Sequence, residues 1–192
     1  MAVTFDNEKQ MFVFDFEHDG AEDMVNLTGD GYRVETFGKC FYYGYEFSDQ
    51  VDSNVRSAFI KHVKFTDELQ DNPDLTQFIK KAVDNLDKKI NLYDYNLVVM
   101  PESSSKVNQY MLRYIYRFAQ PKLIKRKEIL APEMDEQLRA MIRQQNVLII
   151  DDVTTSVSTL NEILRTLRIL NEDNEITIFS LIGRKDLMAE AV

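Results

Sequence analysis

Hydrophobic and polar positions follow two rhythms along this chain, and the change of rhythm divides it. Residues 11–18 (MFVFDFEH) alternate apolar with polar, the period of a half-buried strand. Residues 32–47 (YRVETFGKCFYYGYEF) are dense in aromatic and branched side chains, with Gly38 and Gly44 as punctuation. Both stretches predict antiparallel strands in a small β layer or hairpin. From about residue 51 the spacing becomes helical. Val51, Val55, Phe59, His62 and Val63 make one stripe. Leu75, Phe78, Ile79, Ala82, Val83, Leu86 and Ile90 make a second, for which Asp74, just after Pro73, is the expected cap.

The rest of the chain alternates short apolar runs with amphipathic helices. LVVM (97–100) reads as a buried strand stopped by Pro101, and the helix after it carries Val107, Met111, Leu112, Ile115 and Phe118 on one face. KLIKRKEIL (122–130) opens a third block, which passes through a short helix with Met134, Leu138, Met141 and Ile142 into the strand VLII (147–150). Helix 159–170 has Leu160, Ile163, Leu164, Leu167 and Leu170 as its stripe, and ITIFSLIG (176–183) is a final strand. Uninterrupted apolar strands separated by amphipathic helices are what a parallel sheet covered on both faces requires. The expected fold is therefore α/β: a mostly parallel sheet flanked by helices, with a small N-terminal β-rich elaboration. No internal repeat, low-complexity tract or Pro/Gly/Ser linker breaks the chain. Residues 1–192 are expected to form one domain, with 1–47 as the N-terminal β segment and 48–192 as the α/β core.

Composition sharpens this picture. A chain of 192 residues, 44% hydrophobic with 12 Phe and 9 Tyr, buries a sizeable core. The single cysteine, Cys40, excludes an internal disulfide, and with two histidines it leaves no Cys-based zinc motif. No run approaches the ~20 apolar residues of a membrane span, and MAVTFDNEKQ lacks the basic and apolar regions of a secretory signal, so a cytoplasmic protein with no membrane partner is expected. The formal charge is −9, and the excess of acids lies wholly in residues 1–95. That balance argues against nucleic acid as a partner, though a local basic patch can still hold a small anion.

The most informative stretch is VLIIDDVTTSVSTL, Val147 to Leu160. Four apolar residues make a strand, Asp151 and Asp152 follow at its C-terminal end, a loop of small hydroxyl residues comes next, and a helix starts at once. Ligands of open parallel sheets bind beyond the carboxyl ends of strands. A helix N-terminus, with unsatisfied N–H groups and a partial positive charge, suits a phosphate; Thr154, Thr155, Ser156, Ser158 and Thr159 add hydroxyl donors. Paired carboxylates accept hydrogen bonds from a vicinal diol, so the unit suits a ribose bearing a 5′-phosphate. The same residues also fit a plain strand end followed by a helix cap.

The run resembles the signature of type I phosphoribosyltransferases: four hydrophobic residues, two acids, then a Thr-rich loop before a helix. The resemblance is closest to ComF-like proteins of that family. Upstream, FYYGYEF (41–47), VRSAFIKHVKF (55–65), VVMP (98–101), Lys106 and the pair Asn108-Gln109 occur in the order found in that group, and the match extends over roughly two thirds of the chain. It implies that Asp151 and Asp152 bind the ribose hydroxyls of phosphoribosyl pyrophosphate (PRPP) and that Thr154, Thr155, Ser156, Val157, Ser158 and Thr159 bind its 5′-phosphate. Val157 stands where the family usually has Gly, and Thr155 where purine-salvage members carry Asp, which implies weaker phosphate binding and a substrate other than hypoxanthine or guanine. The N-terminal zinc-binding cysteines of many ComF-like proteins and the usual Arg-Gly before Asn-Gln are absent.

By the same resemblance, loop 101–106 (PESSSK) holds the pyrophosphate through Ser103, Ser104, Ser105 and Lys106, and the basic run Lys125, Arg126 and Lys127 closes over it. Read as residues alone, the loop fits equally a strand-to-helix turn with one Ser as N-cap, and the run fits a solvated face. Mg²⁺, carried by PRPP and water with no protein ligand set, is the implied cofactor, and a small nitrogenous acceptor the second substrate, with segment 1–47 as a hood over it; a homodimer is typical of relatives. His62 lies on an apolar stripe and reads as a packed residue, and Cys40 as core. No Walker A loop or G-x-G-x-x-G occurs, and the paired acids come too late for a response-regulator receiver. Three functions follow as expectations: a phosphoribosyltransferase releasing pyrophosphate, a catalytically inactive PRPP- or nucleotide-binding regulatory module, and a degenerate scaffold for protein interaction.

Overall fold

A computed structural model describes residues 2–17, 25–27, 32–34, 39–47, 51–65, 72–101, 105–154, 158–170 and 175–183. The N-terminal alternation forms a hairpin, β1 (Ala2–Asp6) antiparallel to β2 (Met11–Asp15). Two short strands, β3 (Val25–Leu27) and β4 (Tyr32–Val34), pair antiparallel with successive parts of β5 (Lys39–Phe47). The apolar runs become β6 (Tyr95–Met100), β7 (Lys122–Lys125), β8 (Asn146–Val153) and β9 (Ile176–Gly183). These four join β5 in an all-parallel sheet of order β5-β9-β8-β6-β7. The fold is α/β.

Among the described residues, six α-helices cover that sheet: α1 (Ser53–Phe65), α2 (Pro73–Asp87), α3 (Val107–Ile115), α4 (Arg126–Ile129), α5 (Glu136–Gln144) and α6 (Ser158–Leu170). Side chains of β8 alternate between two cores. Leu148 and Ile150 join Phe59 and Val63 of α1, Phe78 of α2 and Met111 and Ile115 of α3. Val147 and Ile149 join Ile129 of α4, Leu138 and Ile142 of α5 and Leu160, Ile163 and Leu167 of α6. Strands buried on both faces have no need of polar alternation, which is why VLII is unbroken. Among the described residues, no helix is long and apolar enough to cross a membrane.

Three local expectations are revised. Asn72 rather than Asp74 caps α2: its side chain accepts the Leu75 N–H at 3.0 Å, and Pro73 occupies the first turn, where its missing N–H costs nothing. β5 belongs to the main sheet through parallel pairing with β9, so the segment 1–47 divides between the hairpin and the core sheet. Gly44 marks no turn. It lies mid-strand, where an added Cβ would sit 2.6 Å from Ala82 Cβ and 2.9 Å from the Leu181 carbonyl oxygen, so its lack of a side chain lets α2 approach the sheet.

Phe5, Phe12, Phe14 and Tyr45 of the N-terminal segment pack against the core. Phe12 lies 5.0 Å from both Phe5 and Phe59, Phe14 is 5.8 Å from Phe78, and Tyr45 stacks on Phe78 at 3.7 Å. The Tyr45 hydroxyl donates to the Phe78 carbonyl at 2.8 Å, which satisfies its one polar atom in the core. These rings are committed to the hairpin–helix interface.

Candidate functional site

Topology points to a candidate crevice between β6 and β8. β6 and β8 are parallel neighbours, yet the helix after β6, α3, packs in the core that holds Phe59 and Phe78, whereas the helix after β8, α6, packs in the opposite one. The two chains therefore leave adjacent strand ends in opposite directions. Ligands of open α/β sheets bind where this happens, between the diverging loops. Asp151 and Asp152 lie within the last turn-facing residues of β8, which runs on to Val153, past the VLII run.

The two acids alternate with the pleat and have different surroundings. Asp152 is 1% exposed, and its Oδ1 meets Nζ of Lys64, near the end of α1, at 3.2 Å. The same oxygen accepts the Val153 N–H at 2.6 Å. Asp151 is half-buried and accepts the Asp152 N–H at 3.0 Å. Burial, then the neighbouring Asp152 carboxylate, push the Asp151 carboxyl up to about 7; Lys64 and the Asp152 N–H oppose the rise. One carboxylate is thus enclosed and ion-paired. The other is half-buried and poised near neutrality.

Thr154 is fixed rather than free for a ligand. Its N–H reaches the Ile182 carbonyl at 3.0 Å and Ser180 Oγ at 3.1 Å, its hydroxyl donates to Ser180 Oγ at 2.8 Å, and the Ser180 hydroxyl donates in turn to the Ile182 carbonyl at 3.0 Å. This clasp ties the β8 exit to β9. Thr155, Ser156 and Val157 lie outside the described residues, as does the side chain of Thr159. Ser158 is exposed and begins α6, which puts a helix N-terminus a few residues beyond the acids.

On the other side of the crevice, Pro101 is buried at the end of β6, and Ser103 and Ser104 lie outside the described residues. Ser105 is buried, and its Oγ accepts the Val107 N–H at 3.2 Å, the capping role of the plainer reading. Lys106 is exposed at the cap of α3. Asn108 follows in the first turn at 1% exposure, and among the described residues neither its Nδ2 nor its Oδ1 has a hydrogen-bond partner. Leaving a buried amide unpaired costs about 1–3 kcal/mol.

The basic run sits at the same edge of the sheet, one strand further out, since Lys125 pairs with Met100 in parallel register. It is not an extended segment: Lys125 ends β7, and Arg126 and Lys127 start α4. Arg126 is ion-paired with Glu162 of α6, while Lys125 and Lys127 are exposed. Arg113 and Arg117 lie over the rings of Tyr110 and Tyr114, at 4.9 and 4.6 Å, on α3. His62 packs 5.3 Å from the Phe12 ring, and burial holds its pKa below the ordinary value, as its position on an apolar stripe implied. Cys40 is in β5, and its side chain lies outside the described residues.

The contacts of Lys64, Asn108 and Ser180 are the least visible in the sequence, although Lys64 and Asn108 fall within the runs that carry the resemblance. Lys64 reads as a polar residue beside core Val63, and its partner is brought to it only by the packing of α1 on the sheet. Among the described residues no group of three or more His, Cys, Asp or Glu side chains could hold a metal ion. Asp151 and Asp152 point to opposite faces of one strand and do not form a chelating pair. No protein-family model matches this sequence, and no curated protein shows significant similarity to it.

Proposed function

We propose that the crevice between β6 and β8 binds a phosphorylated pentose, with PRPP as the substrate, and that the protein transfers phosphoribose to a small nitrogen nucleophile. The observation that carries this reading is the pair Asp151–Asp152 at the strand end where α3 and α6 diverge to opposite faces. Asp151, the acid open to the crevice, accepts hydrogen bonds from the ribose hydroxyls. Asp152, held by Lys64, keeps the strand end in place and adds negative potential beneath the sugar. The loop into α6 receives the 5′-phosphate, and the start of α3 with Lys106 receives the pyrophosphate.

In the transfer, the nitrogen lone pair forms a bond to the anomeric carbon as the bond from that carbon to the pyrophosphate oxygen breaks, and the nitrogen then sheds a proton to solvent. Positive charge grows on the sugar ring in between. The carboxylates below it stabilise that charge, and positioning supplies much of the remaining rate. Mg²⁺ held by the oxygens of PRPP would supply charge neutralisation for the pyrophosphate, beside Lys106 at the start of α3.

The test is calorimetry of Mg²⁺–PRPP with the folded protein. Binding is expected to strengthen as pH rises through about 7, because ionised Asp151 is the better acceptor for two hydroxyls, and Asp151→Asn is expected to weaken it about 30-fold. Absence of binding by the folded wild-type protein at pH 8 rejects the reading. The Lys64–Asp152 pair favours a second one: with one acid already neutralised, the crevice binds PRPP or a nucleotide as a regulatory module without transferring phosphoribose. Pyrophosphate release on adding bases or amines decides between them.

A further inference from the structure

The buried stripe of α3 contains one residue of the wrong kind. Asn108, Met111, Leu112 and Ile115 follow the i, i+3, i+4, i+7 spacing of a core-facing row, and all four are buried. Met111 and Ile115 pack against Leu148 and Ile150 of the neighbouring strand. An apolar side chain at 108 would complete the row. Instead the chain places a carboxamide there, 1% exposed, with neither the nitrogen nor the oxygen paired among the described residues. Folded proteins rarely leave such groups unmatched, and those they do leave call for an occupant.

Its position shows where that occupant would be. α3 follows β6 and starts at the C-terminal edge of the sheet, so its first turn borders the crevice and its last turn lies toward the opposite edge. Asp152 and Lys64 are on the same face of the sheet, since Phe59 and Val63 of α1 share the core of α3. The first turn also carries the unsatisfied N–H groups and positive end of the helix dipole. Ser105 accepts one of those N–H groups, from Val107. A plain anion would be served by a Lys or Arg at this spot. A carboxamide offers one donor group and one acceptor, and so matches a ligand that presents an oxyanion and a hydroxyl side by side.

We propose that Asn108 is a ligand-binding residue of the crevice, its Nδ2 donating to a phosphoryl oxygen and its Oδ1 accepting from a sugar hydroxyl of the same phosphorylated polyol. The assignment rests on the sugar-phosphate reading of the site and adds a specificity-determining contact on the α3 side. Asn108 selects phosphorylated sugars over inorganic pyrophosphate, which lacks the hydroxyl. The side chain is held in a costly state without ligand, so function and stability pull in opposite directions at this position.

The experiment uses the full chain and two readouts, thermal unfolding without ligand and calorimetry with Mg²⁺–PRPP, on wild type, Asn108→Leu, Asn108→Ala and Asp151→Asn. Asn108→Leu is expected to melt at or above the wild-type temperature, because an apolar side chain of similar size completes the row, and to bind PRPP about 30-fold more weakly. Asn108→Ala should lose affinity by a similar factor and serves if Leu cannot be accommodated. Inorganic pyrophosphate, which can take only the Nδ2 contact, should lose less affinity than PRPP in both variants. PRPP binding unchanged in a folded Asn108 variant, with binding lost in Asp151→Asn, overturns the role of Asn108 and leaves the site standing. Melting several degrees lower for both Asn108 variants, with PRPP affinity unchanged in the folded fraction, makes the amide structural and overturns it too. No binding of PRPP by the wild type overturns the inference together with the reading it rests on.

Discussion

The two faces of the parallel sheet solve the same packing problem with different materials. On the face covered by α1, α2 and α3, the aliphatic core is threaded by aromatic rings, among them Phe12, Tyr45, Phe59 and Phe78, and at the strand ends this face holds charge and amide: Lys64, Asp152 and Asn108. On the face covered by α4, α5 and α6, the core is nearly all Leu, Ile and Val, and the one acid that alternation sends that way, Asp151, is partly open. An enclosed carboxylate requires a cation in contact, whereas one at the rim can adjust its protonation instead. Two neighbouring residues of identical chemistry thereby acquire separate behaviours, and the difference lies entirely in what each face supplies.

Removing the cation tests the enclosed side most severely. Lys64→Met leaves Asp152 buried without its partner and is expected to destabilise the fold by about 3 kcal/mol, with most of that recovered in Lys64→Met/Asp152→Asn; chemical denaturation of the single and double variants measures both. Equal losses in the two would mean that the pair is not what supports this edge.

The open side is best examined by pH. The folded carboxyl of Asp151 lies at about 7 and the unfolded one at about 4, so between those values the folded state binds more proton than the unfolded state. Stability contributed by this group is therefore greatest below pH 4 and falls as pH rises to 7, by about 2 kcal/mol once partial solvent exposure is allowed for. Asp151→Asn should abolish that slope. A wild-type profile in which this contribution rises with pH contradicts the assignment.

The smallest expected effect concerns the aromatic material itself. Phe12→Leu keeps the hairpin apolar but removes the edge contacts to Phe5 and Phe59, and is expected to cost about 1.5 kcal/mol. Hydrogen exchange should report the loss chiefly in β1 and β2, while amides of β8 and β9 stay protected.

Much of this was legible in the order of residues, because periodicity records which positions face water. The unbroken VLII and ITIFSLIG runs, the stripes of α2 and α6 and the acids at a strand end all follow from that rule. Caps and glycines were less legible. Asn72 and Asp74 are both good capping residues two positions apart, and only the backbone path selects Asn72. Gly44 looks like a turn residue until α2 is seen lying across it.

By itself, then, the sequence determined the α/β alternation, the apolar cores and the placing of Asp151 and Asp152 at the end of a strand, all local or periodic properties of the chain. Tertiary structure alone decided that Lys64 would meet Asp152, that Ser180 would clasp Thr154, that β5 would join the parallel sheet and that Asn108 would lie buried without a partner among the described residues. These are contacts between elements distant along the chain, and no periodic pattern encodes them, because they depend on how strands are ordered and on which face each helix takes.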